Sequence, residues 1–163
     1  MPAALALVPA ADAFDLELPP ITTEVSATLP VGAGTAYEVF ADVAQTPRWL
    51  SVVQSARVIE ADERGRPVRV AFLARMERAT IGYTLHYQWD DDGLGVAWST
   101  AADASVRIAG DVRFRALSAR ACLMHYRLTI ELPFDAGWIN ESFDGNAAAA
   151  VASDFREHLR RAP

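Results

Sequence analysis

Residues 106–132 read VRIAGDVRFRALSARACLMHYRLTIEL. Two stretches of this segment alternate with period two, as strands with one buried face must. In Val106–Ala116, Ile108, Gly110, Val112 and Phe114 share one parity, and Arg107, Asp111, Arg113 and Arg115 share the other. In Cys122–Leu132, Met124, Tyr126, Leu128, Ile130 and Leu132 oppose His125, Arg127, Thr129 and Glu131. The link through Ser118-Ala119-Arg120 is short enough to join only antiparallel neighbours. The segment therefore predicts an antiparallel sheet that is apolar on one face and charged on the other.

The same pattern extends upstream. Tyr83–Trp89 sets Tyr83, Leu85, Tyr87 and Trp89 against Thr84, His86 and Gln88, and Val68–Glu77 sets Val70, Phe72, Ala74 and Met76 against Arg69, Arg75 and Glu77. Ser55–Ala61 precedes these across the loop 62–67, and Asp90-Asp91-Asp92-Gly93 is a turn. The short strand Gly95–Ala101 groups Val96, Trp98 and Thr100 without fixing which face they take. Ile21–Leu29 reads as a first strand, ended by Pro30. A helix near Ala36, capped by Thr35, and a second short helix over Ala44–Leu50, broken near Pro47, follow it. After Pro133 the period becomes 3.6 and predicts one helix over Asn140–Arg161, with Asp144, Ala147, Ala148, Val151, Phe155, His158 and Leu159 on one stripe. The fold class is α+β: a seven-stranded antiparallel sheet curled around the final helix, which alone is long enough to cover the apolar face.

Composition bounds the function. The 163 residues are 52% apolar and 22% charged, with a mean hydropathy of +0.09, which gives one domain with a real core and excludes disorder. Cys122 is the only cysteine, so no intrachain disulfide and no cysteine-rich zinc site can form. The net charge of −6 comes from 21 acidic and 15 basic residues, all of the latter arginine. This argues against nucleic-acid binding and against an anionic membrane surface. No apolar run approaches the roughly 20 residues of a transmembrane span. Met1–Val8 is apolar but lacks the basic residues of a signal peptide, so a cytoplasmic location is expected. Residues 1–20, ending in Pro19-Pro20, read as an N-terminal arm ahead of a domain over 21–163, and the arm offers a homodimer contact.

The opening of the domain resembles a known family. Leu29-Pro30, then Ala36-Tyr37-Glu38-Val39-Phe40-Ala41-Asp42, then Pro47-Arg48-Trp49, is similar to the START-like, or SRPBCC, superfamily in its polyketide cyclase/dehydrase and coenzyme-Q-binding branches. Gly110-Asp111-Val112-Arg113-Phe114 resembles a late strand of that family, and Leu159-Arg160-Arg161 a family helix ending. The resemblance covers residues 21–161 and implies a helix-grip fold with two small helices closing one end. It also implies a small hydrophobic ligand, such as a lipid, quinone or polyketide, held between sheet and helix. Trp49 is expected to be at least partly buried where the short helices meet the sheet.

The inward parity supplies aromatic residues, whereas the helix stripe opens on alanines, and small residues under a curved sheet leave space. The expected ligand-binding residues are Trp49, Phe72, Met76, Tyr83, Tyr87, Phe114, Tyr126, Ala148, Val151 and Phe155, around a cavity of a few hundred Å³. Tyr83, Tyr87, Tyr126 and Thr100 are its candidate polar groups. The inward strand faces carry no arginine and no carboxylate, which departs from the polar pockets that the resemblance implies for polyketide cyclases. No catalytic residue, metal ligand or cofactor is assigned. His86, His125 and His158 have no ligand spacing, and neither a nucleophile elbow nor a nucleotide-binding loop is present. The leading expectation is a carrier, chaperone or sensor of a lipophilic molecule. The alternatives are a cyclase or dehydratase using the same pocket, and an interaction protein whose pocket is filled.

Overall fold

A computed structural model describes residues 19–91, 93–133 and 145–161. The expected N-terminal arm, apart from Pro19 and Pro20, lies outside the described residues, as do residues 140–144 of the expected final helix and Asp144 of its stripe. Strand β1 (Ile21–Leu29) leads into helix α1 (Ala33–Ala41) and a 3-10 helix (Val43–Arg48). Six strands follow: β2 (Val53–Ala61), β3 (Pro67–Arg75), β4 (Thr80–Trp89), β5 (Gly95–Ser99), β6 (Arg107–Ser118) and β7 (Ala121–Glu131). Helix α2 (Ala147–Arg161) closes the described chain.

The sheet order is β1-β7-β6-β5-β4-β3-β2. Every neighbouring pair is antiparallel. β2 to β7 form a meander, and β1 returns beside β7, so β1 and β2 are the two edges of a sheet that does not close into a barrel. The register shifts in β2 after Val53, Val58 and Glu60. Extra residues of this kind bend a strand and increase its twist. The loop into β3 is held by one side chain: Asp62 Oδ1 accepts from the backbone N–H groups of Arg64 and Arg66 at 2.9 Å each, and its Oδ2 accepts from Arg66 Nε at 2.8 Å.

The strand faces sort as their parity predicts. Val70, Phe72, Leu85, Val112, Phe114, Met124 and Tyr126 are buried, as are Val96 and Trp98 of β5, whose face the sequence leaves open. Helix α2 lies across this concave face with Ala147, Ala148, Val151, Ala152, Phe155 and Leu159 inward.

Two helix starts differ from expectation. α1 begins at Ala33 behind Gly32, and Thr35 is an exposed residue of its first turn rather than a cap. A Cβ on Gly32 would stand 2.8 Å from the Ala119 carbonyl oxygen, so the β6–β7 turn presses directly on the helix start. α2 begins at Ala147, because Gly145 takes a left-handed φ of 82°. Asn146 caps it, its Oδ1 accepting from Ala149 N–H at 2.9 Å. The Ala148 N–H is met from outside the helix, by Thr23 Oγ1 of β1 at 3.0 Å. Farther along, Asp154 Oδ2 accepts from Ser51 N–H at 3.1 Å and Ser51 Oγ at 3.0 Å, tying α2 to the entrance of β2. No helix among the described residues is long and apolar enough to cross a membrane.

Candidate ligand cavity

Alternation on β4 places Tyr83 and Tyr87 on the inner face four residues apart, and β7 brings Tyr126 to the same face. β5 lies between them in the sheet and contributes Trp98. Its indole lies 5.5 Å from the Tyr126 ring and 6.2 Å from the Tyr87 ring, tilted against both. Trp98 lies close over β6 because position 110 is glycine: a Cβ there would sit 2.7 Å from the indole and 2.6 Å from the Arg127 carbonyl oxygen. On the other side Phe72 stacks on Tyr83 at 5.5 Å.

Phe40 of α1 enters this face from above. Its ring lies 5.7–5.8 Å from Phe155, Trp49 and Trp98, 6.0 Å from Phe114 and 6.4 Å from Tyr126. Phe155 also meets Trp49 edge-on at 4.9 Å and Phe114 at 6.2 Å. The later half of α2 is therefore packed solid. Where α2 offers only Ala147 and Val151, the space is not filled, and an apolar cavity of about 120 Å³ remains.

The cavity has two ends. Phe40, Trp49, Trp98, Tyr87 and Tyr126 form an aromatic end, and Met76, Ile81, Val106, Ile130 and Leu132 an aliphatic one. Of the ten residues expected at the site, Trp49, Phe72, Met76, Tyr83, Tyr87, Tyr126 and Val151 line it together. Phe114, Ala148 and Phe155 do not. The two phenylalanines pack against Phe40, and Ala148 is fully buried beside β1, its backbone N–H donating to Thr23. The volume is also smaller than the few hundred Å³ expected, for the same reason. Phe40 and Trp98 are two large contributors that strand parity could not assign to the cavity. Phe40 sits on a separate helix, and Trp98 on a strand with no charged residue to mark its outer face. Thr100 does not line the cavity; its Oγ1 accepts from Ile108 N–H at 3.0 Å.

The chemistry of the lining is narrow. Among the described lining residues there is no Arg, His, Asp, Glu or Cys. Its polar side-chain atoms are the Thr46 hydroxyl, which donates to the Val43 carbonyl at 2.7 Å, the two indole N–H groups of Trp49 and Trp98, and three phenols. The Trp49 indole nitrogen is buried without a hydrogen-bond partner. Burial pushes the Tyr83 hydroxyl up to about 12. Burial, with the neighbouring Tyr83 and Tyr126 phenols, raises Tyr87 well above the ordinary tyrosine range. Tyr126 is raised too, by burial first and then by Tyr83 and Asp111. All three stay protonated at neutral pH and can donate a hydrogen bond, but they are poor bases there. Burial likewise raises the Cys122 thiol, which disfavours the nucleophilic thiolate. No group of three or more His, Cys, Asp or Glu residues placed to hold a metal occurs among the described residues.

A curved seven-stranded sheet gripping a C-terminal helix over an apolar cavity defines a START-like protein. The profile of the family "Polyketide cyclase / dehydrase and lipid transport" matches residues 20–162, and the chain belongs to that family. Similar solved structures carry the same fold. A START superfamily protein from Mycobacterium smegmatis superposes with a TM-score of 0.74 at 12% identity, over 86% of this chain and 97% of that one. The Zhui aromatase/cyclase from Streptomyces sp. R1128 gives 0.71 at 15% identity, over 88% and 95%. A protein from Thermus thermophilus gives 0.69 at 17% identity, over 86% and 97%. No curated protein sequence matches the chain.

Proposed function

We propose that the protein binds a small lipophilic molecule in the cavity between sheet and α2, and acts as its carrier, chaperone or sensor. The role belongs to the domain over residues 21–163, with residues 1–20 as a separate arm. The observation that carries this reading is the unfilled space itself, bounded by large aromatic side chains on one side and by Ala147 and Val151 on the other. Side chains normally interdigitate to crystal-like density, and an apolar void forfeits contact energy unless something occupies it. Membership of a family of cyclases, dehydrases and lipid transporters supports the same reading.

A cyclase or dehydratase would need a group in the cavity that exchanges a proton near neutral pH. The phenols, raised by burial, are unsuited to act as a base there, and no carboxylate or imidazole stands among the described lining residues. Binding without chemistry is therefore favoured. The test is native mass spectrometry of the protein purified from its own host. A co-purified apolar molecule, released on unfolding, is the expected result. Apoprotein alone, together with failure to bind any apolar probe, contradicts the reading.

A further inference from the structure

The cavity proposed above as the ligand site has a size and a polar pattern that narrow its occupant, and this step rests on that reading. An apolar cavity of roughly 150 Å³ accommodates a benzene ring, and drug-sized ligands occupy roughly 300 Å³ or more. At about 120 Å³ this cavity lies close to the single-ring benchmark and well below the drug-sized one, which favours one ring over a fatty acyl chain or a fused polycycle.

Charge narrows it further. No cationic side chain stands among the described lining residues. The arginines of β6 and β7 stand on the opposite strand face, where Arg127 pairs with Asp111 at 2.7 Å and Arg113 with Asp90 at 2.9 Å. An anionic ligand would lose its hydration and gain no counter-charge. The handles that remain are neutral donors: the phenols, and beside them the indole N–H groups of Trp49 and Trp98. Tyr83, Tyr87 and Tyr126 line the space, and among the described residues no hydrogen bond reaches any of their hydroxyls. Buried hydroxyls normally have partners, and a group left without one in the protein is satisfied by a ligand or by water.

We infer that the site selects a neutral, single-ring molecule carrying a carbonyl-type acceptor, with the acceptor at the tyrosine hydroxyls and the ring against Trp98 and Phe72. Fully protonated phenols are donors to such an oxygen, which fits the raised Tyr83 hydroxyl.

Three near-isosteric probes separate the contributions: cumene, acetophenone and benzoate, titrated at pH 7.5 by calorimetry into the wild type and into Tyr83→Phe, Tyr87→Phe and Tyr126→Phe. Acetophenone is expected to bind, with benzoate at least tenfold weaker. The preference for acetophenone over cumene should fall about fivefold in at least one variant, the worth of one neutral hydrogen bond. Benzoate within tenfold of acetophenone, or a preference unchanged in all three variants, overturns the inference. If cumene still binds in those cases, the cavity reading stands and only the narrower claim fails. If none of the three probes binds the wild type, both fall together.

Discussion

Gly110 has no side chain because the Trp98 indole and the Arg127 carbonyl occupy the space that one would need. Of the two clashes, the one with the carbonyl is with backbone and cannot be relieved by a rotamer change. Overpacking of this kind costs about 1–3 kcal/mol. Gly110→Ala should therefore lower the unfolding free energy by that amount, read as a lower urea midpoint at unchanged slope, and it should also weaken binding of a one-ring probe, because Trp98 forms one wall of the cavity. An unchanged midpoint would show that β6 and β7 can part at no cost. The position was legible in the sequence as an apolar-parity glycine in β6, but its reason was not. Parity says which way a side chain points, whereas the close approach of Trp98 depends on the pairing of β5 with β6, in which Trp98 stands opposite Gly110.

At the scale of elements, α2 is placed by three contacts of different kinds. Asn146 satisfies the Ala149 N–H from within the chain, Thr23 satisfies the Ala148 N–H from β1, and Asp154 holds Ser51. Removing the cap by Asn146→Ala should cost about 1 kcal/mol, read as a lower denaturation midpoint with an unchanged slope. The existence of the strands was legible, and charged residues such as Arg113, Arg127 and Arg69 marked the solvent face of β6, β7 and β3, whereas the face of β5 and the place of β1 beside β7 were not. The start of α2 was not, because the periodic stripe runs through Asp144 while the backbone breaks at Gly145. The cavity was legible in outline from Ala147 and Val151 facing Tyr83, Tyr87 and Tyr126. Its true extent was not, because Phe40 arrives from α1 and closes the space beside Phe114 and Phe155.

For the molecule as a whole, the buried phenols couple stability to alkaline pH. Their native pKa values are raised above the unfolded value near 10, Tyr83 to about 12 and Tyr87 and Tyr126 in the same direction. Below pH 10 the native and unfolded states bind the same protons at these sites, and their contribution is fully present. Above it the unfolded chain releases protons that the native state retains, so stability falls as pH rises toward 12 and beyond. Each such phenol removes about 1.4 kcal/mol per pH unit in that window. Urea midpoints measured at pH 9, 10 and 11 should therefore decline increasingly steeply, and substitution of Tyr83 by Phe should reduce the decline.

The central claim is that an apolar space exists beside Ala147 and takes a ligand. Calorimetric titration of cumene into the wild type and into Ala147→Leu tests it most directly. Saturable one-to-one binding with a negative heat-capacity change is the result expected for the wild type. Ala147→Leu, with its larger side chain in the cavity, should unfold cooperatively at the same temperature or higher and bind cumene at least tenfold more weakly. Failure of the wild type to take up cumene, or undiminished binding by a folded Ala147→Leu, would contradict the account.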